Sequence, residues 1–319
     1  MTVRYLLGRL AGTVLTLSGV AVVVFLVLRA LPGDTITAKL GTEAAALDPA
    51  QRAALERYYA IDQPLPVQFT RWLAGLFTGD LGMSIDTGNP VASLIGDAVP
   101  VTAELAVFAL LIATPTGVLL GVIAASRPGT ARDFAVQGAG MLGLAVPEFV
   151  IASVTVAVLA SVFGYFPDPG TFVPLSESVT GNLRQMFYPS LVLSVGLAAT
   201  IMRTTRSAYL EVARADFVRT ARGKGLSPSS VRIRHVLRGA AVPIVTMVGI
   251  QFGYLLGGTV IVEQIFALPG LGRLLLQGIL QQDYPVVQGA TLLVAITFVL
   301  VNFAVDVIYR LLDPRTRPT

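Results

Sequence analysis

The stretch ARADFVRTARGKGLSPSSVRIRHVLRG, residues 213–239, carries seven Lys or Arg residues and a single acid, Asp216, and long apolar runs flank it on both sides. From just before it, Tyr209, Val212, Ala213, Phe217, Thr220 and Ala221 recur at i, i+3, i+4 intervals, which predicts one helix with a modestly apolar face. Gly223 and Gly225 predict where it stops, because glycine takes the left-handed cap geometry at little cost. Leu226 sits in the turn. Ser227 followed by Pro228 predicts the start of a second helix, on which Val231, Arg234, His235 and Arg238 share a face. The other basic groups, Arg214, Arg219, Arg222 and Lys224 among them, stay free for an acidic partner or for lipid phosphates.

Working outward, the chain has 319 residues, of which 54% are hydrophobic and 13% charged. Soluble domains carry about 25% charged residues, so the composition points to a membrane protein. Runs of roughly 18 or more apolar residues are spanning candidates, and the backbone in lipid must satisfy its own polar groups, so each run reads as a helix. Six spans emerge: residues 10–31, 100–125, 134–163, 186–202, 240–262 and 286–312. The fourth is short, and its helix is expected to continue past Arg203 into water. The first lacks a small-residue cleavage pattern and reads as a retained span.

Sixteen of the 23 basic residues fall in the N-terminus, the link 127–133, the stretch 203–238 and the tail after Tyr309. The short loops of the opposite side carry only Arg184 and Arg273. The positive-inside rule then places both termini and the basic element in the cytoplasm. The chain divides into a tail and first span (residues 1–31), an extracytoplasmic cap (32–99), a core of five spans (100–312) and a cytoplasmic tail (313–319). In the cap, Asp48 and Pro49 predict a helix start. Val67, Phe69, Trp72, Leu73, Leu76 and Phe77 form an apolar stripe that serves packing or an interface.

Some chemistries are excluded. There is no cysteine and only one histidine, His235, which removes disulfides, thiol catalysis, zinc sites of the HExxH type and Ser–His triads with a buried partner. No GxxxxGK[ST] phosphate loop occurs, so any use of ATP needs another subunit.

Three readings of the basic element compete. A juxtamembrane loop would bind anionic lipid at roughly 1 kcal/mol per Lys or Arg. A nucleic-acid helix–turn–helix is poorly served, because a recognition helix tethered at both ends to membrane spans does not reach a groove. A docking module for a cytoplasmic subunit agrees with caps on both helices, which argue for a defined fold.

RTARGKGLSPSSVRIRHVLRGAAVPIVTMVGIQ (residues 219–251) resembles the cytoplasmic coupling loop of permease subunits in ABC importers of the dipeptide, oligopeptide and nickel type, in particular the first of their two permeases. The family pattern is EAA, three residues, Gly, nine residues, then I-x-L-P. Here Arg219-Thr220-Ala221, Gly225 and His235-Val236-Leu237-Arg238 stand at those places, without the Glu and the final Pro. LLGGTVIVEQIFALPGLGRLLLQGILQQDYPVVQGATLL, VNFAVDVIYRLLDPRTR, IDQPLPVQFTRWLAGLFTGDLGMS and NPVASLIGDAVPVTAELAVFALL are similar to the same group, in order, over nearly the whole chain.

The resemblance implies an all-α, polytopic, six-span type I importer permease fold in a bacterial inner membrane. It implies a homologous second permease, two ATPase domains below that bind ATP and Mg, an extracytoplasmic binding protein above, and a peptide cargo. Nickel chelate, glutathione and haem importers look alike. The chain itself would be non-catalytic, and residues 214–238 would couple it to the ATPases. Two rival classes, a membrane-embedded enzyme and an ion channel, lack a supporting constellation.

Residues within the spans carry further expectations. Gly249, Gly253 and Gly257 form GxxxGxxxG, which permits close helix approach, either within the chain or to the second permease. Glu148 follows Pro147 in the third span and either lines a pore, where it could hold a cationic amino group, or faces the bundle. Glu104, near the outer end of span two, and Asn302 join them as candidates for a translocation path, with interhelical hydrogen bonding the other reading of Asn302. Asp306 is expected to pair with Arg310 at i, i+4.

Overall fold

A computed structural model describes residues 3–30, 48–51, 63–168, 170 and 172–312. The described residues are helical, with one isolated β-bridge, Met83 to Pro90, and no strand. The helices are α1 Val3–Ala30, α2 Leu65–Thr78, α3 Val91–Ser126, α4 Ala131–Ala145, α5 Glu148–Phe163, α6 Val179–Ala213, α7 Asp216–Gly223, α8 Arg238–Gly258, α9 Val260–Ile265, α10 Leu271–Leu280 and α11 Tyr284–Leu312. A single turn, Pro228–Ser230, and a π-helical stretch, Val231–Leu237, run directly into α8.

Among the described residues five helices are long and apolar enough to cross a membrane, and the pair α4 and α5 makes a sixth span that is broken by 92°. The sequence predicts one span over 134–163 with a kink at Pro147, and the structure turns that kink into a full break. Pro147 explains the difference: it donates no hydrogen bond and disfavours the α region for Val146, whose backbone is extended at φ −81°, ψ 121°. Two other spans are much longer than expected. α3 begins at Val91, and α6, at 35 residues, is about 52 Å long at 1.5 Å per residue, so it outruns a hydrocarbon core of about 30 Å. This is the continuation past Arg203 that the sequence anticipates.

The chain forms two compact units. The first comprises residues 1–102 and 269–299. In it Val91, Ile95 and Ala98 of α3 pack against Leu271 of α10 and Val286 and Ala290 of α11. Buried polar groups fix this packing. The Thr102 hydroxyl accepts from the Leu271 N–H at 2.8 Å, and the Asp283 carboxylate accepts from the Ser84 hydroxyl and, at 3.2 Å, from the Asp86 N–H. The cap stripe meets α1: Phe69 and Trp72 lie with ring centroids 5.2 and 5.9 Å from Phe25, whereas Phe77 is exposed. Asp48 accepts from the Ala50 N–H at 3.4 Å, and the rest of its expected helix lies outside the described residues.

The second unit comprises residues 103–268 and 300–319, with α6 packed against α4, α5, α8 and α9. Close approach of α3 to α6 depends on Gly117 and Gly121. A Cβ on Gly117 would lie 2.7 Å from the Ala198 carbonyl oxygen, and one on Gly121 would lie 2.8 Å from that of Met202 and 2.6 Å from Thr205 Cβ. These two glycines form a GxxxG pair that the sequence reading passed over in favour of the one in the fifth span.

Candidate functional site: a capped basic element and a broken span

The basic element is two helices, as predicted, but its register differs. α6 ends at Ala213 and α7 restarts at Asp216, because Ala215 takes an extended conformation (φ −67°, ψ 147°). The expected single helix from Tyr209 is therefore interrupted, and its apolar stripe does not continue. Val218 and Ala221 are buried, whereas Phe217 is 50% exposed and Thr220 is exposed. The Thr220 hydroxyl donates to the Asp216 carbonyl at 3.0 Å, and Arg219 forms an exposed ion pair with Asp216 at 3.3 Å.

The turn after α7 is closed by backbone alone. Gly225 has φ +77°, its N–H bonds the Arg222 carbonyl at 2.9 Å, and the Leu226 N–H bonds the Ala221 carbonyl at 3.4 Å. That pair of bonds is the Schellman arrangement, which satisfies carbonyls the helix end leaves free and places the left-handed residue at Gly225. Ser227 Oγ then accepts from the Ser230 N–H at 3.4 Å, with Pro228 in the first helical position.

Past this cap the chain departs from the α-helical spacing assumed from sequence. Over Val231–Leu237 the helix is π-helical, with i→i+5 bonding. Val231 and Val236, five residues apart, therefore share the buried side, whereas Arg234 and Arg238 are exposed and His235 is half-buried. Val218, Ala221, Val231 and Val236 join Ala125 of α3 and Tyr209 of α6 in one core cluster. Burying each valine contributes about 1.5–3 kcal/mol, so the element is anchored to two long helices. Its outer face presents Arg214, Arg219, Arg222 and Lys224 around Phe217 and the 42% exposed Leu226.

A bidentate ion pair that sequence reasoning missed lies nearby. Arg206 of α6 donates from Nε and Nη2 to Asp133, both at 2.8 Å. Asp133, at the start of α4, is 1% exposed and also accepts from the Gly129 N–H and Gln137 Nε2, each at 2.9 Å. The available signal was an acid at the start of a helix inside a basic link, two spans away from the arginine that meets it.

The break between α4 and α5 opens onto a cavity of about 340 Å³. Glu148, the first residue of α5, lines it together with Pro147, Thr200 of α6, and Gln251 and Tyr254 of α8. Glu104 and Asn302, candidates for the same path, are not among the residues that line it. Glu104 instead accepts from Asn182 Nδ2 at 2.9 Å, an amide that also donates to the Val173 carbonyl at 3.1 Å. Asn302 is half-buried on α11. Of the glycine stripe, Gly249 faces α11: a Cβ there would lie 2.2 Å from Val305 Cγ2, so this position packs within the chain. Gly253 is buried and Gly257 exposed. The side chains of Asp306 and Arg310, the expected pair, lie outside the described residues, as does the tail 313–319.

Residues 117–318 match the model of the binding-protein-dependent transport system inner membrane component, and residues 2–106 match the N-terminal model of such membrane components. A putative peptide transport system permease of Brucella melitensis is 40% identical over 99% of both chains. A probable peptide ABC transporter permease of Sinorhizobium fredii is 36% identical over 98% of this chain and 99% of its own length. A glutathione transport system permease of Salmonella paratyphi A is 36% identical over the same shares. Among solved structures, the inward-facing MetNI methionine ABC transporter aligns with a TM-score of 0.53 at 23% identity, covering 69% of this chain and 96% of that one. An amino acid ABC transporter crystallised with histidines aligns at 0.50 and 15% identity, covering 70% and 94%. At those identities the likeness establishes the fold alone, an all-α multi-pass membrane fold.

Proposed function

Because the chain belongs to the family of binding-protein-dependent transport system inner-membrane components, we propose that it is the permease subunit of an ATP-driven peptide importer. The observation that carries this reading is mechanical. A capped basic element rests on α3 and α6 through a buried apolar core, exposes arginines together with Phe217, Leu226 and Ile233, and its second helix continues without a break through the π-helical stretch into the membrane-spanning α8. A partner that grips the outer face and moves between two states turns α8 and α6 as rigid bodies. Linkage requires that the grip differ between those states.

The partners follow from this. Two ATPase domains that bind ATP and Mg take the face of Arg214–Arg238. A homologous permease completes the pathway, and an extracytoplasmic binding protein delivers peptide to the cap and to the loop 164–178. The subunit does no chemistry itself. It sits in the bacterial inner membrane, and the distribution of Lys and Arg supports an orientation with both termini and the basic element in the cytoplasm.

The test is purification of the tagged chain from its native membrane, followed by reconstitution. Stoichiometric ATPase and second-permease subunits, and peptide uptake that stops without ATP, are the expected result. Uptake by this chain alone, with no nucleotide-hydrolysing companion, rejects the reading.

A further inference from the structure

The cavity at the α4–α5 break has a chemistry of its own. Among its lining residues Glu148 is the one charged side chain, and no lysine or arginine is present. Its carboxylate meets no hydrogen-bond donor or cation among the described residues. Glu148 Oε1 and the Gly143 carbonyl oxygen each lie 3.8 Å from the point a Cβ on Gly196 would occupy, so an acid and a backbone carbonyl converge on the space that glycine leaves open.

Gly143 and Leu144 belong to the last turn of α4, where the final carbonyls lack intrahelical partners and the helix dipole is negative. Broken spans in transporters use such half-helix ends to hold cations. Here the negative end of α4 and an unpaired carboxylate face one cavity large enough for part of a small organic molecule. An unpaired acid within a span is costly to keep, about 2.5–3.5 kcal/mol on insertion scales, unless a ligand or partner meets it.

We infer that this cavity is a cargo subsite for a primary ammonium group, with Glu148 as a specificity-determining residue that holds the free N-terminus of a peptide in transit. Tyr254 and Gln251 of α8 line the same cavity, so a peptide held there by its amino end meets the helix that the basic element drives. The inference rests on the peptide-import reading above and adds selection within the membrane to whatever the binding protein provides.

The experiment uses the complete importer in proteoliposomes with saturating binding protein. A defined library of tripeptides and their N-acetylated counterparts is offered, and internalised peptides are counted by mass spectrometry. Because the binding protein is the same throughout, a change between variants in the ratio of free to acetylated uptake reports the permease. In Glu148→Gln that ratio falls at least tenfold, Glu148→Asp restores part of it, and ATP hydrolysis stimulated by the binding protein stays within twofold of wild type. An unchanged ratio in Glu148→Gln overturns the inference. Loss of the second permease from the purified Glu148→Gln complex also overturns it, because Glu148 would then be an assembly contact. If the wild-type importer takes up no tripeptide at all, the peptide-import reading has failed, and this inference falls with it.

Discussion

Two interruptions of helical structure in this chain are built in opposite ways. At Gly225 the break is closed from within: two backbone bonds, a serine cap and a proline complete the turn, and beneath it Val218, Val231 and Val236 are buried. At Pro147 the break is left open: no side chain caps α5, the axis turns by 92°, and a cavity with an unpaired carboxylate occupies the corner. The first arrangement suits an element that must transmit displacement without yielding. The second suits one that must admit and release something. Stiffness and access are separated along the sequence, joined by the long helices α6 and α8.

Both regions depend on the packing of α3 against α6, and disturbing it should have the largest effect. Gly121→Leu places side-chain atoms against the Met202 backbone carbonyl, which cannot rotate away as a side chain could. Overpacking typically costs about 1–3 kcal/mol and more where backbone must shift. The expected outcome is loss of monodisperse protein in detergent chromatography, with both regions disrupted together. Gly121→Ala is expected to give a milder version of the same defect.

A sharper cut separates them. Gly225→Val leaves the space around residue 225 clear, since nothing lies within 4 Å of a Cβ there, but forces a β-branched residue to φ +77°. Left-handed backbone costs such residues roughly 1–2 kcal/mol or more, whereas asparagine tolerates it. Gly225→Val should lose ATPase co-purification and ATP-dependent uptake while the chain remains folded by thermal melting. Gly225→Asn should keep both. Equal behaviour of the two variants would show that the turn's conformation is not what the partner requires.

The smallest expected effect is at the cap. Ser227→Ala removes the acceptor for the Ser230 N–H and should cost about 1 kcal/mol locally. With the valine core intact, uptake should fall by less than threefold, measured beside Gly225→Val under the same conditions. A loss as large as that of Gly225→Val would mean that the core contributes less rigidity than its burial suggests.

Much of the basic element is legible in the sequence because its determinants are local. Gly225 needs a positive φ, Ser227 and Pro228 stand at a helix start, and each acts within four residues of itself. The misreadings there are also local in origin: the restart at Asp216 and the π-helical register are small backbone departures that apolar spacing alone does not encode. Assuming an unbroken helix put Phe217 and Thr220 on the apolar face, where the structure exposes both. Proline at 147 announced a kink but not its size, because the direction of α5 depends on its packing against α6 and α9, which lie far along the chain.

Six helical membrane spans, the concentration of charge at one capped elbow and the family resemblance are all readable from the order of residues alone. Hydrophobic run length, Lys and Arg placement and cap residues are properties of short segments, and they act before the chain folds back on itself. Only the tertiary structure decided that Asp133 meets Arg206, that Gly117 and Gly121 let α3 approach α6, that Gly249 packs on Val305, and that Glu148 faces an open cavity without a partner. Those are pairings between residues tens of positions apart, and which of the compatible partners meet is fixed by how the long helices cross.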